Sequence, residues 1–223
     1  MDMEIATALT WLGLAGSIAV GASDIAGMGQ TSPMPRYWNE PWLYFAGNSR
    51  RRIRWCMAGT LALPIASLGY FGVYAALSPA GTGVALLVTL LLAFFMLAGT
   101  AVHAVITILG DLADFASTQQ GNDSAQTALT EFHRRTLSLF SLLARPTIAV
   151  YATGSFAFSA VIGLGATQYP QWVALLSPFF VTLALRRAFV HLPHRPFGLI
   201  RPAVVHFVHA PLLAVTLAVM QQP

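Results

Sequence analysis

The chain has 223 residues, 56% of them apolar and 9% charged, with a net charge of +4, whereas a water-soluble domain carries roughly 25% charged residues. Mean hydropathy is +0.65, so the main solvent is expected to be lipid, and no shift in composition marks a second soluble domain. All twelve cations are arginine and lack the aromatic interleaving of a nucleic-acid surface, so membrane lipids are expected partners and nucleic acid is not; the single Cys56 excludes an intrachain disulfide framework and a cysteine cluster for zinc.

In chain order, six apolar segments run near residues 5–27, 55–78, 83–110, 137–163, 171–190 and 202–220, each about the ~20 residues that a bilayer demands. They predict an all-α integral membrane bundle of about six transmembrane helices, a single domain over residues 1–223. The first segment follows Asp2 and Glu4 instead of a basic region and has no small-x-small cleavage pattern, so it reads as a retained span. Residues 29–54 form a long connection whose Tyr37, Trp38, Trp42, Tyr44 and Phe45 suit the headgroup level, with Glu40 set among the rings. Residues 116–133 read as a polar loop leading into an amphipathic start of the fourth helix. Pro64, Pro146, Pro178 and Pro211 fall inside spans and predict kinks, because each removes one backbone donor from the helical ladder. Pro146 frees the carbonyl of Leu142, and Pro211 that of Phe207.

Arginine distribution orients the spans. The first connection holds Arg36, Arg50, Arg51, Arg52 and Arg54, the third is flanked by Arg134 and Arg135, and the fifth has Arg186, Arg187, Arg195 and Arg201. The second and fourth hold none. Arginine is retained on the cytoplasmic side, which predicts a multi-pass protein of the cell inner membrane with both termini on the outer side.

With direction assigned, the polar residues within spans can be placed by depth at about 1.5 Å per residue. Asp24 falls near the inner end of the first helix, and His103 in the inner half of the third, with Asp111 and Asp114 beyond it. Arg145 lies two to three turns into the fourth. A guanidinium at that depth costs about 2.5 to 3.5 kcal/mol even on the mildest scale, so it calls for a carboxylate such as Asp24, Asp111 or Asp114, or for water. His206 and His209 sit roughly 8 Å and 12 Å in from Arg201. Every strongly polar candidate therefore falls in the cytoplasmic half, which predicts a cavity there.

His206 and His209, one turn apart, are expected to share a face of the last helix. Interhelical hydrogen bonding would explain them, and so would proton transfer, since an imidazole near pKa 6.5 is the side chain most easily tuned for it. A metal would want further ligands; the neighbouring HLPH, His191 and His194, is separated by a proline-bearing turn, and six histidines are too few for a histidine-box di-iron site. No metal and no cofactor is expected. The candidate catalytic set is Asp24, Glu40, His103, Arg145, His206 and His209, with Asp24 or Glu40 as acid and the two late histidines as bases. Tyr70, Tyr74, Tyr151 and Phe156 are candidates for stabilising positive charge through their ring faces.

The segments ASDIAG, LALPIASLGYFGVYAAL, AVHAV, YPQWVALLSPFFVTLAL and RPAVVHFVHAPLL resemble an uncharacterised bacterial family of small multi-pass membrane proteins, a resemblance that implies no activity. In size and helical character the chain is also similar to small integral-membrane terpenoid cyclases and sterol isomerases, by analogy of architecture alone. The expected function is a cofactor-independent rearrangement, cyclisation or isomerisation, of a hydrophobic, isoprenoid-like molecule. A proton-coupled transporter or a lipid-binding membrane protein is the alternative.

Overall fold

The computed structural model describes residues 2–29, 49–119 and 123–222, and every regular element among them is helical. The helices are α1 (Met3–Met28), α2 (Ser49–Ser67), α3 (Tyr70–Leu77), α4 (Thr82–Thr118), α5 (Asp123–Gly163), α6 (Pro178–Val190), α7 (His194–Ile200), α8 (Val204–Phe207) and α9 (His209–Met220). Short 3-10 turns lie at Ser78–Ala80, Gln171–Leu176 and Arg201–Ala203. Extended Asp2 starts α1, its carboxylate accepting the backbone N–H of Glu4 at 2.9 Å, which satisfies one of the donors left open at a helix start.

Among the described residues, four runs are long and apolar enough to cross a membrane: α1, α2 with α3, α4, and α5. A fifth appears if Phe197–Phe207 and His209–Met220, bent by 45° at their junction, are taken as one span. This composition is compatible with a membrane protein, but the expected count of six is not met. The missing span is 171–190, which forms a 3-10 turn and then the 13-residue α6. The backbone supplies the reason. Ser177 precedes Pro178 and is held out of the helical region, at φ −51° and ψ 119°, as the proline ring requires of its neighbour, so the helix starts only at Pro178.

The connection before α6 folds back into the bundle instead of running over its end. Ser177 Oγ donates to the carbonyl of Ser155 at 2.8 Å, and the Phe179 N–H donates to Ser155 Oγ at 3.2 Å. Ser155 lies two turns before the end of α5, so α6 begins roughly 12 Å below that end. Ser159 Oγ donates to the Ala174 carbonyl, and the Tyr169 hydroxyl pairs with Thr216 at 2.7 Å. Several polar groups of this non-helical stretch are thus met by protein, as irregular backbone needs wherever water is excluded.

Two other expected boundaries move. Of residues 116–133, expected as a loop, 116–118 and 123–133 are helical: α4 runs to Thr118 and α5 starts at Asp123. At 41 residues α5 is about 60 Å long, twice the hydrocarbon thickness of about 30 Å. Its polar first turns carry Glu131, which accepts from Arg134 and Arg135 at 2.7–2.8 Å. Likewise residues 49–54, expected in the first connection, are the first turns of α2. As for the prolines, α2 continues through Pro64 to Ser67, and α5 passes through Pro146. Pro178 starts α6, and the bend in the last pair falls at Val208, before Pro211.

Small residues bring α1 and the α2–α3 run together in antiparallel order. A Cβ on Gly16 would come within 2.5 Å of the Ala66 backbone nitrogen, one on Gly13 would strike the Gly69 backbone, and one on Gly27 would lie 2.6 Å from Cys56 Sγ. Where apolar lipid gives helices little reason to pair, such close backbone approach supplies the packing. Gly154 does the same for α5 on α4, where a Cβ would lie 2.8 Å from that of Leu91. The core between these helices includes Leu63, Tyr70, Val73, Leu92, Met96, Tyr151 and Phe158. Cys56 is buried with Met28 and Ile106 near the end of the bundle where α1 stops.

Candidate functional site

Three helices deliver polar heads to one point. Asp24 comes from the penultimate turn of α1, His103 from the middle of α4 and His206 from α8. Asp24 is fully buried, and the two histidines are 5% and 4% exposed. His103 Nε2 lies 3.4 Å from Asp24 Oδ1, and His206 Nε2 lies 3.6 Å from Asp24 Oδ2. Both separations exceed the 2.7–3.2 Å of an N–H···O hydrogen bond. Neither Asp24 oxygen has a hydrogen-bond partner among the described residues, and neither does His206 Nδ1. The two imidazoles meet edge to face at 5.3 Å. Gly59 on α2 makes room for this arrangement, since a Cβ there would strike Ser23 Oγ and approach His103 Cε1 to 3.6 Å.

These three side chains line a cavity of about 340 Å³ among α1, α4, α5, α6 and α8, within the size range of small-molecule sites. Most of the remaining lining is apolar, Val102, Ile106 and Phe140 among it, while Tyr151, Thr147 and Thr182 add hydroxyls and Arg186 and Arg201 add cations. The Arg201 guanidinium also donates to the carbonyls of Phe189 and Leu192, closing the C-terminal end of α6 where carbonyls would otherwise lack partners.

A second polar group lies behind the cavity wall. His209, fully buried, bonds through Nδ1 to the Tyr70 hydroxyl and through Nε2 to the Tyr151 hydroxyl at 3.1 Å. A neutral imidazole has one N–H and one acceptor nitrogen, so one tyrosine donates to the ring and the other accepts from it. Phe95 separates the two groups. Its ring stacks on Tyr151 at 3.8 Å and lies 5.8 Å from His209 and 6.5 Å from His206.

Of the residues singled out in the sequence, Asp24, His103 and His206 therefore meet in one cavity, and His209 does not line it. The break at Val208 sends His209 to the tyrosines, so the expectation that both late histidines share one cavity is corrected. Arg145 is corrected as well. It is exposed, because the buried stripe of α5 is Ala144, Thr147, Tyr151, Ser155 and Phe158, and a position two residues from Thr147 points about 200° away from it. Asp111 is exposed and, like Asp114, is absent from the cavity lining. Phe156 is 67% exposed. His191 is exposed, while Glu40 lies outside the described residues. Sequence reasoning overlooked Phe95, which carries no polar signal, and took Arg186 and Arg201 only as markers of orientation.

The chain matches, over residues 1–219, the family described as "Family of unknown function (DUF6796)". It belongs to that family. No curated protein and no solved structure matches it.

Proposed function

We propose that this member of the family is an integral membrane enzyme that rearranges a hydrophobic, isoprenoid-like molecule by acid/base chemistry in the cavity, with membrane lipids around it. The observation that carries the reading is an apolar chamber in whose wall the Tyr151 hydroxyl is backed by His209, which is backed in turn by Tyr70. Hydroxyl, imidazole and hydroxyl in series can deliver a proton to a bound double bond or epoxide and collect one from a neighbouring carbon. One proton enters and one leaves, so substrate and product are isomers and no oxidant or reductant is consumed. Low water content protects a cationic intermediate from capture. The rings of Phe95 and Tyr151 present faces to positive charge. Asp24, His103 and His206 form the polar pole that orients an oxygen-bearing end of the substrate. The same reading puts the arginine-bearing connections at the cytoplasmic face of the cell inner membrane and both termini outside.

The test incubates the purified protein with a panel of polyprenyl and epoxy-polyprenyl compounds in heavy water. Products of new retention time carrying one deuterium are expected, with at least a ~100-fold loss in Tyr151→Phe. Unchanged compounds across the panel overturn the reading. A proton-coupled transporter is the second reading, favoured by the 45° break between Phe207 and His209, because transporters place broken helices at their sites. Substrate-dependent proton flux into sealed vesicles without any product would select it.

A further inference from the structure

We propose that Asp24, His103 and His206 form a binding site for one divalent transition-metal ion of the zinc class. The inference does not rest on the acid/base reading above, which assigns proton transfer to Tyr151 and His209.

The first support is convergence. One donor atom from each of the three side chains lies within 4.8 Å of the others, although the residues stand on three different helices. The second is distance. Zinc bonds of about 2.0–2.1 Å arranged tetrahedrally put neighbouring donor atoms about 3.3 Å apart. The observed 3.4 and 3.6 Å, from the two imidazole nitrogens to the two different oxygens of Asp24, are close to that spacing and too long for hydrogen bonds. The third is the state of the carboxylate. Asp24 is fully buried and neither oxygen accepts a hydrogen bond among the described residues, an arrangement that is costly for a polar group unless something fills the gap. A cation bound by one donor atom of each residue gives the buried carboxylate a partner and takes up one nitrogen of each imidazole.

Donor chemistry narrows the class. Two imidazoles and one carboxylate select zinc or ferrous iron, whereas magnesium and calcium prefer oxygen donors throughout. Three protein ligands leave at least one position open, the pattern of reactive rather than purely structural zinc sites. Because all three residues line the cavity, that position is completed by water or by an oxygen of the bound molecule. Cys56, buried nearby with Met28 and Ile106, is not among the converging donors. HLPH takes no part either, as His191 is exposed.

The experiment uses the full chain carrying an affinity tag without histidines, stripped with chelator and titrated with Zn2+ and Co2+. Expected are uptake of about one ion per chain, a visible Co2+ absorption band of a low-coordinate nitrogen and oxygen site, and a higher melting temperature with Zn2+. Asp24→Asn and His103→Gln should each weaken binding by more than about 100-fold, beyond the usual effect of losing an outer-sphere partner, while His191→Ala binds as the parent chain does. A fully helical parent chain that takes up no ion overturns the proposal, and so does unchanged binding in folded Asp24→Asn and His103→Gln. Should either variant fail to fold, ion uptake and the Co2+ band of the parent chain still decide the matter.

Discussion

Asp24 Oδ1 stands 3.4 Å from His103 Nε2 with both side chains shut away from the surface. The two should therefore be energetically coupled. In a double-mutant cycle of Asp24→Asn and His103→Gln, read by equilibrium unfolding in detergent, a coupling of about 0.5–3 kcal/mol is expected. Effects that add to within about 0.5 kcal/mol would mean that the two groups do not sense one another.

His209 serves two hydroxyls at once, those of Tyr70 and Tyr151. Removing the imidazole strands the buried Tyr70 hydroxyl and leaves that of Tyr151 only Thr182 as a partner, whereas Tyr151→Phe leaves the ring paired with Tyr70. Each stranded buried group costs about 1–3 kcal/mol. His209→Leu is thus expected to lower the melting temperature more than Tyr151→Phe. The opposite order in thermal unfolding would count against a shared imidazole.

Gly16 and Gly83 make a matched pair of probes. A methyl on Gly16 collides with backbone of α2, which cannot move aside as a side chain would, whereas one on Gly83 meets nothing within 4 Å. Gly16→Ala should lower the melting temperature clearly, and Gly83→Ala should leave it unchanged or slightly raised, since alanine is the better helix former. Equal effects would show that α1 and α2 are not in such close contact.

Orientation can be read with cysteines. In a Cys56→Ala background, a membrane-impermeant thiol reagent applied to intact cells should label Gly83→Cys and spare Ser124→Cys. Labelling of Ser124→Cys alone would reverse the proposed topology.

Much of the bundle was legible because length and apolarity are what lipid selects. The runs that became α1, α2 with α3, α4 and α5 carry that signal without interruption. The fifth segment has the same composition, but the Ser177–Pro178 step and the hydrogen bonds of Ser155 decide its shape, and neither registers in hydropathy. At the site, Asp24 and His103 stood out because ionisable groups are rare at such depth. The spacing of His206 and His209 predicts one face of one helix, which fails where the ladder breaks at Val208. Depth alone also misplaced Arg145, since depth says nothing of azimuth; the stripe formed by Thr147, Tyr151 and Phe158 held that information.

The shortness of α6 bears on how the protein is made. In a bilayer, α1, α4 and α5 can each be released sideways into lipid as finished units, because each covers the hydrocarbon thickness and satisfies its own backbone. A 13-residue helix that begins below the end of its neighbour has no such independence. It holds its place by the serine pairings to α5 and by packing beside α8, so in such a bilayer the last quarter of the chain joins as a folding event upon helices already present. The chamber, which takes its walls from α6 and α8 as well as from the earlier helices, comes into being only at that step.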